Sequence, residues 1–122
     1  MIVETAFMTV TEGAEEDFLA ALQEARALVE QTPGCRGLTV ARGVERPQVF
    51  LLTIRWNTLD DHLVGFRESP SFATWRALLS PYYSAAPEVQ HWQEERSGQA
   101  DDCRLTAAPM ASIADPSRGL RT

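Results

Sequence analysis

The sequence predicts an α+β domain whose elements follow the order β-α-β-β-α-β. Three observations point there. Strand-like segments rich in β-branched and aromatic residues alternate with period two. Helical regions carry apolar stripes at spacings of three and four. The second and third strand-like segments follow one another with only a short turn between them, as a hairpin does. At 122 residues the chain is one domain by size, long enough for a single hydrophobic core.

The elements follow in order. "IVETAFMTV" (2–10) reads as the first strand. In "AEEDFLAALQEARALVEQT", Phe18, Leu22, Ala25 and Leu28 or Val29 form a helical stripe. Glu15, Glu16 and Asp17 complement the dipole of its first turn, and Pro33-Gly34 stops it. "CRGLTVARGVE" and "QVFLLTIRW" make the second and third strands, with the turn at Arg46-Pro47. Thr58 caps a helix running to about Arg67, with Asp61 as its capping-box partner; Leu59, His62, Leu63 and Phe66 share one face. Ser69 as N-cap and Pro70 at the first position open a second segment over 70–80, where Phe72, Trp75, Arg76 and Leu79 share a face. Pro81 and Pro87 bracket a loop, and "EVQHWQEER" (88–96) alternates as the fourth strand. This is the ferredoxin-like arrangement, over residues 1–96. Residues 97–122 show no periodicity and read as a flexible tail.

The third strand is apolar on both sides: Phe50, Leu52 and Ile54 on one, Val49 and Leu51 on the other. Helices cover one face of such a sheet, so a second copy of the sheet is expected on the other, in a homodimer.

Composition narrows the partners. The net charge is −6 with no basic run, which argues against nucleic acid and anionic membrane surfaces. The start carries Glu4 and no basic region, unlike a signal peptide, and no apolar run is long enough to span a bilayer. Cys35 and Cys103 form no CxxC pair and read as free thiols of a reducing, cytoplasmic compartment. There is no GxGxxG, P-loop, nucleophile elbow, HxH or ExxH frame, so a pocket is expected to work without bound metal or nucleotide.

The chemistry-bearing side chains cluster late in the chain. His62, on an apolar helix face, is the best general base by its reference pKa of about 6.5, or else a core histidine bonded to backbone. Arg76 offers a fixed positive charge for a phenolate or enolate oxygen; alternatively its stem packs and its head reaches Asp60 or Glu68. Arg67 reads as exposed or structurally paired. Trp56 is core or site, and its indole N–H needs a partner if buried, which a substrate oxygen could supply. Phe66, Phe72 and Trp75 wall a flat apolar slot. His91 alternates with Val89 toward the interior, and of Tyr82 and Tyr83 one lines the pocket while the other packs.

The stretch "PGCRGLTVARGVERPQVFLLTIRWNTLDDHLVGFRESPSFATWRALLSPYYSAAPEVQHWQ" resembles the antibiotic biosynthesis monooxygenase (ABM) domain family, also called dimeric α/β barrels. The Pro-Gly-Cys-Arg-Gly turn, the strand ending in Trp56, the Ser69-Pro70-Ser71-Phe72 junction and the Pro87-to-His91 strand carry the likeness, over residues 2–96. The resemblance implies a homodimer. Its cofactor-free branch oxidises polycyclic phenols and anthrones with O₂, and Trp56 and Arg76 match that branch's tryptophan and arginine. Leu52 stands where the branch has an asparagine, against the substrate, and His62 where it has a tyrosine. The haem-degrading branch has an asparagine, a tryptophan and a histidine where this chain has Ala6 or Phe7, Phe66, and Trp75 or Arg76. That leaves no proximal iron ligand unless His62 substitutes. The alternatives are a non-catalytic dimer that binds a small apolar ligand or serves as an accessory protein, and isomerase or lactone chemistry without O₂.

Overall fold

Alternation along β1 (Ile2–Thr9) turns Glu4, Ala6 and Met8 inward. The same period along β3 (Val49–Trp56) buries Phe50, Leu52, Ile54 and Trp56. In the computed structural model, which describes residues 1–95, these two strands pair antiparallel with Ala6 opposite Leu52 and Glu4 opposite Ile54. β2 (Cys35–Arg42) adds beside β3, and β4 (Glu88–Gln93) beside β1, giving the order β2-β3-β1-β4. The predicted ferredoxin-like order is the observed one.

α1 (Glu15–Glu30) and α2 (Pro70–Leu79) close one face of the sheet. From α1 come Phe18, Ala21, Leu22, Ala25 and Val29; Val29, rather than the half-buried Leu28, completes the stripe. Burying this set against Met8, Phe50 and Leu79 supplies the main driving force, on the order of 2 kcal/mol per large side chain.

Four local features differ from expectation. The second strand stops at Arg42, and 43–48 form a longer turn. There Gly43 N–H donates to the Val49 carbonyl (2.8 Å) and Val49 N–H to the Arg46 carbonyl (2.9 Å). A Cβ at Gly43 would collide with that Arg46 carbonyl, so the chain folds back here. The fourth strand ends at Gln93, short of the predicted boundary. The helix after β3 begins with the expected reciprocal box: Asp61 Oδ2 accepts from Thr58 N–H (2.9 Å), and Thr58 Oγ1 accepts from Asp61 N–H (3.1 Å). It then winds as a π-helix over Asp61–Phe66, with Arg67 N–H donating to the His62 carbonyl (2.9 Å). This winding buries His62 and Phe66 and leaves Leu63 half-buried and Leu59 exposed, so the face predicted from α-helical spacing is only half inside. Finally, Ser69 has the extended backbone of an N-cap, but its hydroxyl donates to the Phe66 carbonyl (2.6 Å), tying the π segment to α2.

The other face of the sheet carries Val3, Phe7, Leu51 and Trp92, with Phe7 41% and Trp92 52% exposed. Leu51 and Val49, on which the dimer expectation rests, lie on this face. The predicted tail, residues 97–122, lies outside the described residues. No helix among the described residues is long and apolar enough to cross a membrane.

Candidate active site

Between the inner sheet face and the helical segments lies a cavity of about 580 Å³. Ala6, Met8, Leu52 and Ile54 form its floor. Phe66, Phe72 and Trp75 form an aromatic wall in which Phe66 meets Phe72 and Trp75 edge to face at 5.6 and 6.0 Å. Such a volume suits a small, flat ligand.

One wall is polar. Glu4 is 5% exposed yet lines the cavity. Its Oε1 accepts from the indole N–H of Trp56 (3.0 Å), and Nε2 of His62 lies 3.4 Å from the same oxygen. On the far side of the His62 ring, Nδ1 is 2.8 Å from Nε2 of His91, so one of these nitrogens donates to the other. Trp56 stacks on the His62 ring at 5.3 Å and 18°, fixing its plane. The result is a continuous row, Trp56–Glu4–His62–His91, running from the core to a half-buried position on an edge strand.

Burial moves both central groups toward neutrality. It lifts the Glu4 carboxyl from 4.5 to about 7, against the opposing pull of the Trp56 hydrogen bond and the Arg67 charge. It lowers His62 from 6.5 to about 4, helped by the neighbouring His91 and Arg67. His91 is also lowered, first by burial and then by Arg67. Near neutral pH the histidines are therefore uncharged, and Glu4 is divided between acid and carboxylate.

The cavity also carries two cations. The guanidinium groups of Arg67 and Arg76 lie 5.5 and 5.8 Å from the centroid of the Phe72 ring, and both residues line the cavity. Arg76 makes no ion pair among the described residues; neither Asp60 nor Glu68 engages it. Tyr83 completes the lining, its phenol pushed up to about 12 by burial.

Most of the predicted residues converge here: Leu52, His62, Phe66, Phe72, Trp75, Arg76 and Tyr83 line the cavity. His91 stands directly behind His62. Trp56, Tyr82 and His91, expected at the ligand, do not line it. Trp56 is fully buried and spends its N–H on Glu4, so the partner expected from a substrate oxygen is a protein carboxylate. Tyr82 packs edge-on against Phe18 at 6.4 Å, so of the two tyrosines Tyr83 is the pocket residue. Arg67, read as exposed or structurally paired, is exposed and also lines the cavity. Glu4 was missed as a site residue. The signal was present, because an acid at an inward position of an alternating strand needs an explanation.

A model of the antibiotic biosynthesis monooxygenase family matches residues 1–78. The chain belongs to this family. A candidate antibiotic biosynthesis monooxygenase of Bordetella bronchiseptica, of known structure, is 38% identical over 78% of this chain and 97% of its own, with a TM-score of 0.75. The uncharacterised Bacillus subtilis protein YczJ is 33% identical over 94 residues, 77% of this chain and 99% of its own. SnoaB, a cofactor-independent oxygenase from Streptomyces nogalater, superimposes with a TM-score of 0.69 over 79% of this chain and 94% of its own. At 17% identity that likeness concerns the ABM fold alone. Against the haem-degrading alternative within the ABM fold, His62 turns both ring nitrogens to protein partners, so the histidine lining the cavity has none free for an iron.

Proposed function

We propose that the protein is a monooxygenase that uses O₂ to oxidise a small electron-rich aromatic, a phenol or anthrone, with the substrate itself supplying the electrons. The observation that carries this reading is the presence, in one cavity, of a buried proton acceptor and of Arg76, which makes no ion pair among the described residues. A phenol or anthrone C–H would lose its proton to the Glu4–His62 pair, and Arg76 would hold the resulting anion. The aromatic wall aligns a flat ring and keeps water out. The anion then passes one electron to O₂, the two radicals join as a peroxide, and loss of water leaves a ketone. A ring CH₂ becomes C=O and the second oxygen atom leaves as water, so no external reductant is required. Trp56 is a positioning residue in this scheme, holding Glu4 by a hydrogen bond and His62 by stacking.

We further read the protein as a homodimer joined through Phe7, Leu51 and Trp92, which would close the outer sheet face. The likeness to SnoaB supports an oxygenase on this fold.

The test is oxygen uptake with 1,8-dihydroxyanthrone, together with ¹⁸O labelling of the product. One labelled oxygen in the quinone, formed in proportion to enzyme, is expected. Binding without enzyme-dependent O₂ consumption would instead favour a ligand-binding dimer of the same fold.

A further inference from the structure

We infer that Glu4, rather than His62, takes the substrate proton, and that His62 and His91 form a relay carrying it out to the protein surface. The inference rests on the oxygenase reading only in that it gives the proton a source. The geometry is specific. Glu4 Oε1 faces the Trp56 indole and the His62 ring, whereas Oε2 makes no hydrogen bond among the described residues. Glu4 is 5% exposed and lines the cavity, so that oxygen is the proton-accepting atom available to a bound ligand. His62 is not available, because Nε2 is turned to Glu4 and Nδ1 to His91.

The same two contacts make His62 a conductor. Its ring nitrogens lie on opposite sides of the imidazole, so Glu4 and His91 do not converge on one point as metal ligands would. A proton leaving the substrate bonds to Glu4, converting carboxylate to acid. A half-turn of the carboxyl brings the protonated oxygen to the position facing His62, from which the proton passes to Nε2 across the 3.4 Å gap as His62 Nδ1 gives its own to His91 Nε2 at 2.8 Å. His91, half-buried on β4, then releases one proton to water. One proton enters and one leaves; His62 and His91 have each exchanged one neutral tautomer for the other, and prototropic exchange with water between turnovers resets them. The 3.4 Å gap is longer than a good hydrogen bond, as such contacts often are before substrate closes the site. Arg67 is the charge facing all three groups, and it disfavours any proton that lingers on a histidine. Arg76 and Tyr83 line the same cavity as Glu4.

The experiment mixes the protein with 1,8-dihydroxyanthrone without oxygen and follows the coloured anion by stopped flow. In the wild type, anion formation should rise with pH through a midpoint near 7. Glu4→Gln should slow it by about 10²-fold or more and abolish that midpoint, within the range a general base supplies. His91→Ala should leave the first anion-forming event intact, slow aerobic turnover by about tenfold or more, and be rescued by added imidazole. Anion formation at wild-type rate in Glu4→Gln would overturn the assignment of Glu4, and unaltered turnover in His91→Ala would overturn the relay. An anion that forms but consumes no O₂ defeats the oxygenase reading and leaves this inference standing. If the anthrone is not ionised at all, ¹³C NMR of the carboxyls decides. A Glu4 signal titrating near 7 and moving in His91→Ala supports the relay, and one titrating in the ordinary carboxylate range overturns it.

Discussion

Replacing Glu4 by glutamine is expected to stabilise the fold above neutral pH, by an amount that depends on pH in a specified way. The carboxyl titrates near 7 in the native state and near 4.5 when unfolded. Between those values the native protein binds more protons than the unfolded chain, so stability falls as pH rises from 4.5 through 7, then levels off. At about 1.4 kcal/mol per pH unit, the carboxylate costs on the order of 3 kcal/mol once fully ionised, with relaxation and water penetration reducing this toward 1. Glutamine has the same shape, stays neutral, and can still accept from the Trp56 N–H. Variant and wild type should therefore be nearly equal at pH 4.5 and diverge to about 1–3 kcal/mol by pH 8. His62 works in the opposite direction. Its depressed value makes stability rise with pH from about 4 to 6.5, but it does so in both proteins and cancels in the difference. Urea unfolding at equal protein concentration at pH 5, 6, 7 and 8 measures the gap, provided the slopes agree. A gap that does not grow with pH, or a variant less stable at pH 8, would falsify the account of Glu4 as a buried, destabilising base.

Trp56→Phe removes the N–H held by a buried carboxylate. It should cost about 1–3 kcal/mol and shift the pH midpoint of anion formation upward, because the lost hydrogen bond favoured the ionised form. Arg76→Gln should lower oxygenase turnover by about 10²-fold while leaving the melting temperature unchanged, since the side chain is exposed and makes no ion pair among the described residues. Equal loss of stability and activity would make Arg76 structural instead. Phe7→Glu or Leu51→Glu should convert a micromolar dimer into monomers in sedimentation, because either buries charge in the outer-face contact. A wild-type protein that sediments as a monomer refutes that interface outright.

The architecture was legible because its determinants are local and periodic. Phe18, Leu22, Ala25 and Val29 mark one helix face, and Phe50, Leu52 and Ile54 mark one strand face. The rest depended on contacts between residues far apart in the chain. Trp56 meets Glu4 across 52 residues and His62 meets His91 across 29, and neither pairing has a sequence pattern. Glu4 was visible as an acid at an inward strand position, but whether it pairs or faces a ligand depends on what the π-helix delivers above it. The winding itself was not legible. Leu59, His62, Leu63 and Phe66 satisfy α-helical spacing, and it takes backbone pairing such as the His62 carbonyl accepting from Arg67 to show that the segment is wound more widely.

Burial acts on Glu4 and His62 in opposite directions, and a relay needs that opposition. An exposed carboxylate with a pKa near 4.5 is too weak a base to hold a phenol's proton; at about 7, Glu4 competes for it at physiological pH. An ordinary histidine beside it would then retain the proton and sit as a cation against Arg67. With His62 lowered and Glu4 raised, the cationic form of His62 is much less occupied than protonated Glu4, so the ring passes a proton without storing it. Restoring water to the cavity would collapse this separation from both sides. Leu52→Asn or Phe66→Ser, which wet the floor or wall beside the row, should therefore lower the Glu4 midpoint toward the ordinary carboxylate value and raise that of His62 toward 6.5. Carboxyl ¹³C and ring ¹⁵N titrations of these variants measure both movements at once. If only one of the two moves, dryness is not their common cause.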